Sequence, residues 1–260
     1  MRRFSPKPLI ALGLACFGAL ALPSCATNDS MIFIVGVYAR KQGACTPKAE
    51  TGAPLWANGT LDRLFATDYT AALVIGNQIT TRGSREQLRT ETSRVALRGA
   101  EVKLETPKGV SLVDPFSSTA TGFVDAASGT DPALSIMYAS LIPPAVALKL
   151  PQGTLVAKVR VFGDTLGGQE VESSELWFPI DVCDGCLVAY PASARDLTAA
   201  GTDYQCKVAS DTATATTATD TDLPCEVGID VPTPCTTCSG TSDACLHPKQ
   251  SNPTYAPAAP

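Results

Sequence analysis

Apolar and polar residues alternate most cleanly late in the chain. In "TLVAKVRVF" Leu155, Ala157, Val159 and Val161 fall on one face and Lys158 and Arg160 on the other, the pattern of a half-buried strand. "SELWFPIDV" repeats it with Leu176, Phe178, Ile180 and Val182. Gly163 to Gly168 supply a turn between the two, so residues 154 to 182 are predicted as a β-hairpin. Earlier segments obey the same rule. "MIFIVGVYA" (31 to 39) is a short apolar run that reads as a buried strand, and "YTAALVIGNQI" (69 to 79) is apolar on both faces, as a central strand would be. "SRVALRGAEVKLET" (93 to 106) alternates as Val95 and Leu97, then as Val102 and Leu104. The phase slips at Gly99-Ala100, which predicts a bulge or bend. "PALSIMYASLI" (132 to 142) is a further strand, stopped by Pro143-Pro144.

Twenty Gly and twenty Pro punctuate these pieces and helical periodicity is scarce, which predicts an all-β fold. Six or so strands with polar, Gly/Pro-rich connections point to an immunoglobulin-like β-sandwich over residues 25–182, although the usual central disulfide beside a Trp is missing. Beyond Tyr190 the alternation fades. Seven of the ten cysteines lie between 183 and 245, so residues 183–248 are predicted as a small disulfide-rich appendage. Within it "SDTATATTATDTD" (210–222) is low-complexity Thr/Ala/Asp, read as a solvated loop, and residues 249–260 are read as a disordered tail.

The N-terminus sets the compartment in which the cysteines must be read. Arg2, Arg3 and Lys7 form a positive region ahead of a fourteen-residue apolar run, Leu9 to Leu22, which reads as an export signal over residues 1–24. "ALPSC" after it resembles a bacterial lipobox, with Pro23 in place of the usual small residue. The resemblance implies a mature chain that begins at a lipid-modified Cys25 and is anchored in a membrane. Because Ala26 rather than Asp follows, it implies the outer membrane; secretion after cleavage at Ala21 is the alternative. Without the signal, 17 basic side chains face 25 acidic ones, so phosphate-backbone binding, and with it a nucleic-acid partner, is disfavoured.

Apart from Cys16 in the signal and Cys25 at the lipid position, eight cysteines remain: Cys45, Cys183, Cys186, Cys206, Cys225, Cys235, Cys238 and Cys245. An even number in an exported chain suits four disulfides, with 105 possible pairings. If all eight pair, Cys45 must reach the C-terminal appendage. The Cys183-x-x-Cys186 and Cys235-x-x-Cys238 pairs also suggest two other readings, a zinc site or a thiol-redox pair. An oxidising compartment competes for the thiolates that zinc needs. A redox pair is usually set at a helix start, whereas Cys183 follows an apolar strand. Asp184-Gly185 between two apolar runs instead predicts a two-residue hairpin, with Cys183 and Cys186 opposite each other at disulfide distance.

Candidate catalytic chemistry is thin. His247, the only histidine, lies beyond the last cysteine, and the chain has no GxSxG, GxGxxG, Walker A or HExxH pattern. Glu170, Glu172 and Glu175 surround one hairpin, where acids read as a solvated face rather than a glycosidase pair. Arg82, Arg85, Arg89, Arg94 and Arg98 are interleaved with or adjoined by Glu86, Glu91 and Glu101, so that stretch reads as mixed surface rather than a cationic patch. No cofactor or metal is expected. "FPIDVCDGCLVAYP" with "PCEVGIDVPTPCTTCSGTSDAC" resembles the ends of a group of uncharacterised bacterial lipoproteins with β-rich bodies and cysteine-rich C-termini, which implies architecture and no activity. The expectation is therefore a non-enzymatic, membrane-anchored lipoprotein acting as a structural or binding module outside the cytoplasm, with a protein or glycan partner. A thiol-redox or metal protein using the CxxC pairs and a carbohydrate-binding sandwich are the alternatives.

Overall fold

A computed structural model describes residues 31–41, 45–83, 90–189 and 224–234. Residues 1–30 with Cys25, the 210–222 loop, Cys206, Cys235, Cys238, Cys245, His247 and the 249–260 tail lie outside the described residues, as do Arg85, Glu86 and Arg89.

The described chain is mostly strand, as the alternation predicts. β1 (Ile32–Tyr38), β2 (Leu55–Trp56), β4 (Tyr69–Asn77) and β7 (Ala133–Ile142) form one sheet in the order β2-β1-β4-β7. β3 (Gly59–Asp62), β5 (Val95–Glu105), β6 (Phe116–Val124), β8 (Gly153–Thr165) and β10 (Leu176–Cys183) form the other, in the order β3-β10-β8-β5-β6, with β9 (Glu170–Glu172) paired to β8. One helical turn, α1 (Pro144–Ala147), follows β7 where Pro143 ends the strand. All pairings within the two sheets are antiparallel except β3 with β10, which run parallel.

Both sheets contribute to one apolar core. Leu73, Ile75, Met137 and Leu141 come from the four-stranded sheet, and Val102, Leu104, Val159, Phe178 and Ile180 from the larger one. Fully burying such a side chain contributes roughly 1.5–3 kcal/mol, so the inward-facing positions outweigh any single surface contact. β4 is buried on both faces, as its sequence predicts. Its Ala72 and Val74 join Tyr38 in a second cluster on the far side of the sheet, with Ala53 and Ile136 packed beside them. The far side of the larger sheet is charged instead, with Lys158 2.7 Å from Glu105 and Arg160 3.5 Å from Glu172. The expected phase slip in β5 is a register shift between Leu97 and Gly99 against both β6 and β8.

Two local expectations need correction. Gly163 is not in the turn: it lies within β8, where a Cβ would collide with the Ala96 carbonyl, and the chain reverses after Thr165 to form β9. The Asp184-Gly185 segment is not a two-residue hairpin either. β11 (Val188–Ala189) pairs in parallel with β12 (Thr233–Pro234) rather than folding back on β10. Gly185 has φ +85°, but Asp184 does not share the left-handed conformation that such a hairpin needs at both positions.

Candidate functional site

A buried and a half-buried aspartate meet the backbone of β3, a four-residue strand wedged between β10 and the segment 224–234. The parallel pairing sets Asp62 against Cys183 at the strand ends. Asp62 is fully buried. Its Oδ1 accepts hydrogen bonds from the backbone N–H of Leu64 at 3.0 Å and of Gly185 at 2.6 Å, and its Oδ2 accepts from Leu187 N–H at 2.8 Å. Three donors satisfy a carboxylate that burial would otherwise penalise heavily. In return, the Asp62 side chain fixes the backbone of the Cys183–Cys186 turn.

The outer side of that turn is held as well. Arg63 donates from Nε and Nη2 to the two oxygens of Asp184, at 2.8 and 2.7 Å, and from Nη1 to the Leu150 carbonyl at 2.8 Å. Gln152 Nε2 donates to Asp184 Oδ2 at 2.5 Å. The Arg63 hydrogen bonds are the main reason the Asp184 carboxyl sits below its ordinary pKa. The Arg63 N–H also donates to the Cys183 carbonyl at 2.8 Å.

Within this frame Cys183 and Cys186 form a disulfide, with Cα atoms 5.9 Å apart, and both residues are partly exposed. The Sγ atoms and an Asp62 oxygen lie within 4.8 Å of one another. As a disulfide the sulfurs are not thiolate ligands, and both Asp62 oxygens already accept N–H groups. In the oxidised state the cluster is thus a sulfur pair beside a buried carboxyl whose oxygens are already hydrogen-bonded.

The other side of β3 carries the segment 224–234. Thr60 N–H donates to Asp230 Oδ1 at 2.8 Å, Asp230 N–H donates to the Thr60 carbonyl at 3.0 Å, and Asp62 N–H donates to the Gly228 carbonyl at 2.9 Å. Ile229 enters the main core. The Tyr69 hydroxyl lies 2.9 Å from both Asp230 oxygens, and Gly59 is needed beneath it because a Cβ there would strike the Tyr69 and Phe178 rings. Burial pushes the Asp230 carboxyl up from 3.8 to about 6, against the opposing pull of Thr60 N–H, the Tyr69 hydroxyl and the Arg40 guanidinium. Burial, and then Asp230 itself, raises the Tyr69 hydroxyl. Arg40 pairs with both oxygens of Glu226 and donates to the Thr70 carbonyl at 2.8 Å.

Beside that ion pair, a disulfide joins Cys45 to Cys225 across 180 positions, linking the first loop to the C-terminal segment. The two disulfides differ sharply in what they restrain. By loop-closure entropy, the long bridge removes about 5 kcal/mol of unfolded-state freedom and the four-residue ring only about 2 kcal/mol. Bracing explains the first far better than the second.

The remaining sequence candidates do not converge. Glu170 and Glu172 are exposed on β9, with Glu172 near Arg160, and Glu175 accepts from the Trp177 indole N–H at 2.8 Å. Glu170 and Glu172 border a depression of about 600 Å³ shared with Arg98, Phe162 and Asp164. Arg94 and Arg98 are ion-paired with Asp125 and Asp164. Arg82 contributes its backbone N–H to Glu91, whose carboxyl is lowered chiefly by the Gly83 N–H. Sequence reasoning missed Asp62, Arg63, Tyr69, Arg40 and Asp230. Their only signal was position, at the ends of short apolar pieces where nothing shows which acid is buried. Among the described residues no helix is long and apolar enough to cross a membrane. No protein-family model matches the chain, and no curated protein matches it.

Proposed function

We propose that the chain is a non-enzymatic extracytoplasmic lipoprotein, anchored in the outer membrane through Cys25, whose body is a structural or binding module. The observation that carries this reading is the Cys45–Cys225 bridge. An oxidised cross-link spanning most of the body suits a protein that works outside the reducing cytoplasm, and it agrees with the export signal and lipobox-like "ALPSC" at the N-terminus.

An immunoglobulin-like body is supported by strand order. In the sequence β1, β4, β5, β7, β8, β10, the strands β1-β4-β7 lie in one sheet and β10-β8-β5 in the other, the distribution of a Greek-key sandwich. The parallel pairing of β3 with β10 extends the second sheet at its edge. Such folds present connecting loops at their ends as variable surfaces, which suits a protein or glycan partner.

The test is a Cys25→Ser variant expressed with its native signal and followed by membrane fractionation and intact mass. The expected outcome is loss of membrane association with the β-rich circular dichroism unchanged. A variant that stays wholly membrane-bound, or a wild-type mature chain with no acyl mass on Cys25, would overturn the anchor.

A further inference from the structure

We infer that the Cys183–Cys186 pair is an exchangeable two-electron couple, a thiol–disulfide exchange site for a dithiol-bearing protein or peptide, rather than a brace. Three observations carry it. The ring closes only four residues, so it restrains the unfolded chain little. The turn is shaped without the sulfur bond: Asp62 holds the N–H groups of Gly185 and Leu187, and Arg63 and Gln152 hold Asp184. Both cysteines are partly exposed at the surface, where an incoming thiolate can reach them.

These features define a site whose two redox states share one backbone. When the S–S bond opens, the Asp62 clamp keeps the two sulfurs side by side, and the Cys183 thiol has an acceptor in the Leu61 carbonyl, 3.7 Å from its Sγ. The step balances as follows. A thiolate of the partner attacks one sulfur of the pair, the Cys183–Cys186 bond breaks, and the departing sulfur leaves as a thiolate that takes up a proton. The partner's second thiolate then attacks the mixed disulfide and displaces the remaining cysteine sulfur, which is also protonated. The partner leaves as a disulfide. Two electrons have passed from the partner dithiol to this chain, with both of the partner's protons accounted for.

The experiment uses the full exported chain and dithiothreitol as the probe dithiol, without denaturant. Free thiols are alkylated and assigned by peptide mass, and amide hydrogen exchange is followed at Gly185 and Leu187. The expected result is that Cys183 and Cys186 become alkylated together while those two amides keep their protection to within about threefold. Oxidised dithiothreitol should then re-form the same pair at least tenfold faster than in chain unfolded by denaturant. In parallel, a Cys183→Ser/Cys186→Ser variant should fold, with a fall in Tm less than half of that caused by removing Cys45–Cys225. A pair that opens only in denaturant, a loss of protection at Gly185 and Leu187 on reduction, or a double variant that fails to fold would each overturn the inference and make the pair a brace.

Discussion

The two sides of β3 present the same residue type in opposite circumstances. Asp62 is fully buried and receives three backbone N–H donors, whereas Asp230 receives one N–H and one hydroxyl and its carboxyl is pushed up to about 6. The difference teaches that burial alone does not decide the cost of a charge; the count and kind of donors does. Asp62 is a fixed acceptor around which a turn is built. Asp230 is the weak member of its network: the Thr60 N–H and the Tyr69 hydroxyl offset its burial only in part, and Arg40, which pulls the same way, is paired with Glu226.

The largest effect should come from breaking the better satisfied side. Asp62→Ala leaves the N–H groups of Leu64, Gly185 and Leu187 without their acceptor, and each orphaned buried donor costs about 1–3 kcal/mol. A loss of roughly 3–5 kcal/mol in urea denaturation is expected, with Asp62→Asn losing less because one oxygen survives. Equal effects from the two variants would show that the donors find other partners and that the contrast with Asp230 is empty.

Next comes the bridge on the Asp230 side. A Cys45→Ser/Cys225→Ser variant should lose about 2–5 kcal/mol, and hydrogen exchange should speed first at Asp230 and Thr233, whose N–H groups donate to the Thr60 and Leu187 carbonyls. Uniform acceleration across the core strands instead would mean that segment 224–234 is cooperative with the body rather than a latch upon it.

How much of this was legible depended on repetition. β4, β5, β7, β8 and β10 could be read from sequence because each repeats an apolar choice several times, so one ambiguous residue does not obscure the period. β6 escaped because its inward positions include Ser118 and Ala120, small or polar residues that carry little hydrophobic signal. β3 escaped because it is four residues long and ends in a buried acid. The site was hidden for the same reason. Two of the three donors to Asp62 lie more than 120 positions away, and no local pattern distinguishes it from exposed acids such as Asp114. The pairing of β11 with β12 is also not a sequence feature: Val188 meets Thr233 only in the folded chain.

A smaller effect isolates Asp230. Its folded pKa lies above the unfolded value, so its contribution is complete below about pH 4 and is lost as pH rises through about 6. Asp230→Asn keeps the positive φ of 59°, which Asn tolerates, and removes the titration. The stability of wild type relative to this variant should therefore increase by on the order of 1–2 kcal/mol between pH 7.5 and pH 4. A difference that stays flat would show that Tyr69 and Thr60 satisfy the carboxylate fully and that the two sides of β3 are alike.

The smallest effect has the opposite sign and lies on the Asp62 side. Arg63 holds the Asp184 carboxyl below its ordinary pKa, so this pair stabilises the turn above the unfolded pKa and is lost as pH falls through the depressed value. Because the Asp184 side chain is 45% exposed, solvent screens the pair and its worth is under about 1 kcal/mol despite two-point geometry. Asp184→Asn should cost that much at pH 7, and the gap from wild type should close below pH 4, where Asp230 is at its most favourable. Opposite pH slopes for Asp184 and Asp230 would show that the turn and the C-terminal segment are held by separate electrostatic networks on the two sides of β3. Parallel slopes would show that Arg63 and Arg40 act on a single one.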